Sequence, residues 1–520
     1  MELPDEAQAG KEFALQVSLA METSPSVAAI VSGEKGAQGQ LLMTLPATPG
    51  QDRWTIEVVV SAPGFAFRNG VNSASIVLPK HGDSTPALFH LRSLPGADGP
   101  RRPRIHATFW HRGAYLAKIA RSVTIEPATA LSAGTVAPGT TAATARGEVT
   151  SIDPALRAPD LTLYILEGAD GRGEMIVASP YLQTSKHAIL VPAGLAAWLD
   201  QSYARFVSEL ARDGDAVLLQ DRTIPLLRGF GRDVYRRFAP PAFKEAYWRL
   251  HDRLGDRFQT IQIFSNNPQL PWELMRPARA DGSAEKDFLS LDHQVARWHV
   301  TEDAGQLDRA PQTLVLKELV VIAPGYEGAA ALPSQRAEVR KLSGLAGFRS
   351  VPGRFADLKA LFANFPDGII HFAGHGAIQT RAGVAEHFVR LEDHDLDLST
   401  FRGMTVRRGA RHPFIFFNAC DIGQIQRVVN FVDGWAPAAL EAGASGYVGG
   451  LWTLGDRGAA DFAGVFYDEV QRGLRGGSIT VAAALQHARR RFYQTGDPTF
   501  LAYVYYGDAN FRLTSRASSR

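Results

Sequence analysis

From Lys317 onward the sequence alternates short, almost wholly apolar runs with amphipathic stretches, and this restricts the fold more than any other feature. Glu318-Leu319-Val320-Val321-Ile322, Gly368-Ile369-Ile370-His371-Phe372, Pro413-Phe414-Ile415-Phe416-Phe417 and residues 444–451 read as strands. Residues 334–345, 356–365, 456–472 and 479–492 carry helical spacing. A strand apolar on both faces must be covered on both faces. The pattern therefore predicts an α/β fold, with a mainly parallel sheet between two layers of helices.

The rest of the chain reads differently. Residues 13–126 consist of short alternating runs, such as Trp54-Thr55-Ile56-Glu57-Val58-Val59-Val60, separated by Gly and Pro at near-regular intervals. That is the pattern of an all-β sandwich domain. Residues 127–158 are rich in Ala, Thr, Gly and Pro without periodicity and read as a linker. Residues 1–12 and 514–520 are expected to be flexible ends. Segment 159–313 opens with a hairpin (161–165 and 175–177 around Asp170-Gly171), followed by helical patterns at 195–210 and 241–254. It then reaches Leu270-Pro271-Trp272-Glu273-Leu274, where Trp272 reads as a core anchor. Segment 314–513 holds the strand–helix alternation.

Charge and cysteine content narrow the function. Lys plus Arg (55) nearly balances Asp plus Glu (53), which leaves no nucleic-acid footprint. The polar, acidic amino terminus is no secretory signal, and no apolar run reaches bilayer length. One cysteine in 520 residues permits no intrachain disulfide and no zinc site built on several thiolates. The expectation is a cytoplasmic protein that neither binds nucleic acid directly nor enters a membrane. It carries no Walker loop, dinucleotide turn or His/Cys metal spacing, so no cofactor or metal is expected.

That single cysteine sits at a strand end. Phe416-Phe417-Asn418-Ala419-Cys420-Asp421 follows one buried run, and His371-Phe372-Ala373-Gly374-His375-Gly376 ends another. Ligands of open α/β sheets bind beyond the carboxyl ends of strands, so both tips are expected to face one crevice. A free thiol is only a few per cent ionised at neutral pH and needs a base to become a nucleophile. An imidazole can take its proton and later return one to a leaving amine. The backbone N–H groups of Gly376 and Cys420 are candidate oxyanion donors.

These motifs, with Glu441-Ala442-Gly443-Ala444 and Leu451-Trp452-Thr453-Leu454-Gly455-Asp456, resemble the CHAT family of caspase-like cysteine peptidases. Its clan also holds caspases, separase, clostripain and gingipain. Leu270 to Leu274 and the closing Phe500-Leu501-Ala502-Tyr503-Val504-Tyr505-Tyr506-Gly507 fit the same resemblance, in the family's order. It implies a caspase-like fold, with a pseudo-caspase half over 159–313 and a catalytic half over 314–513. It also implies catalytic roles for His375 and Cys420, with His371 structural. The caspase pentapeptide Gln-Ala-Cys-Arg-Gly is absent, so specificity for Asp at P1 is not carried over. Relatives that cleave after Arg place a carboxylate in the S1 pocket, and Asp456, Asp421 and Asp461 are the candidates here. Asp456 fits equally well as a cap of the helix that follows it.

The resulting expectation is a regulated cysteine endopeptidase acting on protein substrates. Family context implies a bacterial defence or signalling role, with a gasdermin-like or other effector encoded nearby as target. An activating protein or ligand would act through the β-sandwich. Two other classes share the same residues: a catalytically silent caspase-like scaffold for protein interaction, and a small-molecule amidase using the same dyad.

Overall fold

The computed structural model describes residues 2–3, 6–21, 41–45, 50–94, 101–127, 143–144, 147–152, 157–168, 171–191, parts of 194–205, 219–267, 270–300, 312–381, 384–405, 411–420, 428–450 and 455–515. Two compact units emerge, one grouping residues 1–158, 178–186 and 301–308 and one grouping residues 159–177, 187–300 and 309–520.

In the first unit, strands Arg53–Ser61, Ser73–Pro79, Arg104–His111 and Ala114–Ser122 form an antiparallel sheet. Glu12–Val17, Ala87–Ser93 and Phe65–Phe67 belong to a second one. Period-two alternation buries Trp54, Ile56, Val58 and Val60 on one face of the first sheet, against Leu15, Val17, Phe89 and Leu91 of the second. The core is shared by both sheets, as a sandwich requires. The expected linker and amino-terminal tail contribute strands too. Glu2–Leu3 pairs with Ala143–Thr144, Glu6–Gln8 pairs with Thr124–Glu126, and Gly147–Ile152 pairs with Leu19–Met21 and Leu41–Leu45. Edge pairing uses backbone groups, which composition does not report.

The main sheet of the second unit has strands β1 (Leu161–Glu167), β2 (Arg172–Ser179) and β3 (Leu182–Leu190), the last two carrying residues 178–186 grouped in the first unit, then β4 (Thr260–Ser265), β5 (Gln294–His299), β6 (Glu318–Ile322) and β7 (Phe348–Val351). They continue as β8 (Gly368–Arg381), β9 (Val384–Arg390), β10 (Asp395–Asp397), β11 (Phe414–Cys420), β12 (Gly446–Gly450) and β13 (Tyr503–Gly507). The main helices are α1 (Ile224–Phe238), α2 (Pro241–Leu254), α3 (Gln335–Ser343), α4 (Phe355–Ala363), α5 (Val428–Glu441), α6 (Asp456–Arg475) and α7 (Val481–Gln494). Among the described residues, all these strands join one sheet in the order β3-β2-β1-β4-β5-β13-β12-β11-β8-β6-β7, with β9 and β10 extending from β8.

The sheet is mixed, which corrects the expectation of a mainly parallel one. Tyr506 of β13 opposes Arg297 of β5 in a parallel pair and Tyr447 of β12 in an antiparallel pair. Strands β1, β4, β5 and β13 run parallel, as do β12, β11, β8, β6 and β7, and the two sets run in opposite directions. Strand β13, returning after α7, joins the two sets at the middle of the sheet. Helices do cover both faces of the carboxyl-terminal set. His371 meets α3 and α6 through Glu338 and Tyr467, while Phe417 of β11 stacks on Trp435 of α5.

Candidate active site

Strands β8 and β11 pair in parallel from Ile369↔Phe414 to His375↔Cys420 among the described residues. Neighbouring strands lie about 5 Å apart, so the two backbones are adjacent at this position. Among the described residues β11 reaches Cys420, and β8 does not stop at His375 as a strand tip would. It runs on to Arg381, turning from β11 to an antiparallel ribbon with β9 in which Gly376 opposes Val389. The β-branched Ile378 and Thr380 favour this extended backbone. The side chain of Cys420 lies outside the described residues, as do Asp421 and residues 451–454.

His375 is held by the loop that connects β6 to α3. Its ring nitrogen Nε2 lies 2.7 Å from the carbonyl oxygen of Ala330, and its backbone N–H donates to the Tyr326 hydroxyl at 3.1 Å. The Tyr326 ring packs on the imidazole, with centroids 4.4 Å apart. A carbonyl can only accept, so Nε2 carries the proton and Nδ1 of the neutral ring carries the lone pair. Nδ1 is buried and has no hydrogen-bond partner among the described residues. The imidazole is thus oriented through one nitrogen and open at the other.

Tyr326 in turn donates to the carbonyl of Arg390 at 2.8 Å. Burial pushes its hydroxyl up to about 12, so it stays protonated and able to donate. Gly374 makes room for it: a Cβ there would come within 2.5 Å of the Tyr326 hydroxyl. Tyr326→Phe strips the partner from both backbone groups and should lower stability by about 1 kcal/mol. A urea unfolding curve reads this directly, and an unchanged midpoint would contradict it.

Behind the ladder lies a buried polar network. Glu338 of α3 accepts from His371 Nε2 at 2.8 Å and from Asn418 Nδ2 at 2.7 Å, both through Oε1. His371 Nδ1 lies 3.1 Å from the Tyr467 hydroxyl, and Tyr503 donates to Asn418 Oδ1 at 2.6 Å. His371 is fully enclosed by these partners, on the face covered by α3 and α6, whereas His375 is gripped by the loop from β6. Asn418, two residues before Cys420, is thereby locked to a helix and to the central strand β13.

Sequence reasoning did not single out Tyr326, Ala330 or Glu338. Ala330 acts through its backbone, which leaves no signature, and Glu338 sits in a helix whose sequence reads as largely polar. The alternation along β8 was the available clue for the loop, because His375 falls on the same face as His371 and needs its own partner there.

Of the S1 candidates, Asp456 is half-buried at the first turn of α6, and its Oδ2 accepts the Ser334 N–H at 2.7 Å. It anchors the far end of the loop that holds His375. Gly455, not Asp456, occupies the N-cap. Asp461 is exposed one turn further on and pairs with Arg457 at 3.7 Å.

Residues 260–508 match the family model described as the CHAT domain. No curated protein matches the chain. Among solved structures, the Arg-specific cysteine proteinase gingipain R is similar at 11% identity, over 54% of this chain and 70% of its own, with a TM-score of 0.35. The Saccharomyces cerevisiae separase–securin complex is similar at 12% identity, over 68% of this chain and 30% of that one, with a TM-score of 0.39.

Proposed function

We propose that this chain, whose residues 260–508 match the CHAT domain model, is a cysteine endopeptidase of caspase-like fold with Cys420 as nucleophile and His375 as its base. Two observations support the reading: His375 pairs with Cys420 in the ladder of β8 and β11, and Ala330 holds His375 so that Nδ1 is the open nitrogen. In the proposed reaction Nδ1 takes the thiol proton and the thiolate attacks the scissile carbonyl. The backbone N–H groups of Gly376 and Cys420 stabilise the resulting oxyanion. The Ala330 carbonyl steadies the imidazolium, which gives its proton to the departing amine. Water then hydrolyses the thioester, with His375 again as base.

Residues 159–313 are proposed as the pseudo-caspase half and 314–513 as the catalytic half. The substrates are proposed to be a restricted set of proteins, under control exerted through the β-sandwich. A basic P1 residue is proposed to meet Asp456 or Asp421, with Asp461, already paired to Arg457, a less suitable partner.

A fluorogenic peptide library varied at P1 tests the reading. Arg or Lys at P1 should be cleaved about tenfold or more faster than uncharged residues, the worth of one charge-assisted pair in a partly dehydrated pocket. Equal cleavage after apolar or acidic residues would remove the proposed S1 carboxylate. Equal cleavage by Cys420→Ala would remove the peptidase reading itself.

A further inference from the structure

The carboxyl edge of β1 and β4 carries a cavity of ≈ 350 Å³ that the proposed peptidase reaction does not use. It lies at the low end of small-molecule pocket volumes, roughly 300–1,000 Å³. Carboxyl ends of parallel strands are where open α/β sheets bind ligands. Because the two strand sets run in opposite directions, this edge is the opposite one from that bearing His375 and Cys420. The cavity is therefore distinct from the candidate active site.

Its walls are mostly apolar, supplied by Ile165, Leu195, Phe238 and Trp272. Leu190 at its margin is 70% exposed, a large apolar side chain left in water. Two charged groups also line it, Glu167 at the end of β1 and Arg237 in the last turn of α1. Glu167 is placed with care. Its backbone N–H donates to Asn266 Oδ1 and its carbonyl accepts from Asn266 Nδ2, both at 2.8 Å, while Asn267 Nδ2 donates to its carboxylate oxygen Oε2. Partial burial lifts its carboxyl above the ordinary carboxylate range. Arg237 lies over the Trp198 ring, 5.5 Å from its centroid. Among the described residues neither charge is paired with an opposite one.

We propose that this cavity binds a small apolar zwitterion, a free hydrophobic amino acid, with its ammonium on Glu167, its carboxylate on Arg237 and its side chain against Phe238 and Trp272. A partly desolvated carboxylate without a cation gains from acquiring one, and a guanidinium matches a carboxylate through two parallel hydrogen bonds. The cavity's apolar lining fits an aliphatic or aromatic body. The motif Leu270 to Leu274 then has a second use: Trp272 anchors the core with most of its ring and shows the remainder to the cavity. The proposal is independent of the peptidase reading.

The test is isothermal titration of the full-length chain with L-leucine, L-phenylalanine and L-tryptophan. At least one should bind saturably with one site per chain. Affinity should fall about tenfold or more when the amino group is acetylated, the carboxylate amidated, or Glu167→Gln or Arg237→Gln introduced, since each removes one charge-assisted contact. Arg237 is exposed, so its variant reports even if Glu167→Gln fails to fold. His375→Ala should leave binding unchanged. No binding at up to about 10 mM, a limit weaker than typical ligand affinities, would overturn the proposal. So would binding that is indifferent to both cavity variants, or binding lost in His375→Ala.

Discussion

Cys420→Ala and His375→Ala are each expected to lower kcat/KM for a cleaved peptide by about a thousandfold or more, and the double variant to be no worse than either. Nucleophile and base act as one unit, so losing either removes the same transition-state stabilisation. The two variants should part in their structural cost. Cys420→Ala deletes one atom at the end of β11, whereas His375→Ala removes a ring packed on Tyr326 and its bond to Ala330. Only the second should lower the melting temperature measurably. If the double variant is far slower than both singles, the two residues contribute independently and do not form a dyad.

The largest effect on stability is expected from Glu273→Ala. Glu273 is fully buried in the turn Trp272–Leu274, and its carboxylate takes both the Nε of Arg297, at 2.9 Å, and the Nη2 of the same guanidinium. Arg489 of α7 is fully buried nearby and donates to the Tyr503 carbonyl at 2.7 Å. Its Nε and Nη1 have no partner among the described residues, and burial pulls its pKa down to about 10. The Glu273 carboxylate thus pairs with Arg297 and acts on the buried Arg489 through its charge alone, where β5, β13 and α7 meet. Removing it leaves two buried cations and should cost about 3–5 kcal/mol. Arg489→Met, which removes a cation and keeps the volume, should cost far less and can stabilise. Denaturant midpoints for the two variants check this, and a Glu273→Ala loss below about 1 kcal/mol would refute the linked cluster.

The sequence was most legible where local pattern and burial coincide. The runs at Glu318–Ile322 and Phe414–Phe417 announce strands because each residue must be covered. His375 and Cys420 then fall together because their strands are neighbours in one parallel set. What escaped depends on distant backbone. The direction of Tyr503–Gly507 relative to β12 is decided by pairing with Tyr447, far along the chain, so the mixed sheet had no local mark. The partner of His375 is a carbonyl on an alanine, and any residue supplies a carbonyl. Strands at 143–152 hid in an Ala/Thr-rich stretch because they pair at edges, where few side chains need be apolar. Asp456 read as a cap or an S1 group, but its bond to Ser334 joins the helix to the loop around His375.

The central claim, that His375 activates Cys420, is tested most directly by alkylating the intact chain with iodoacetamide across a pH series. Cys420 is the sole cysteine in 520 residues, so one mass adduct reports one site. If His375 is its base, the thiol should react with an apparent pKa well below the roughly 8.5 of a free cysteine. In His375→Ala that midpoint should return toward the free value. A wild-type midpoint at or above that of a free thiol, unchanged by His375→Ala, would contradict the dyad.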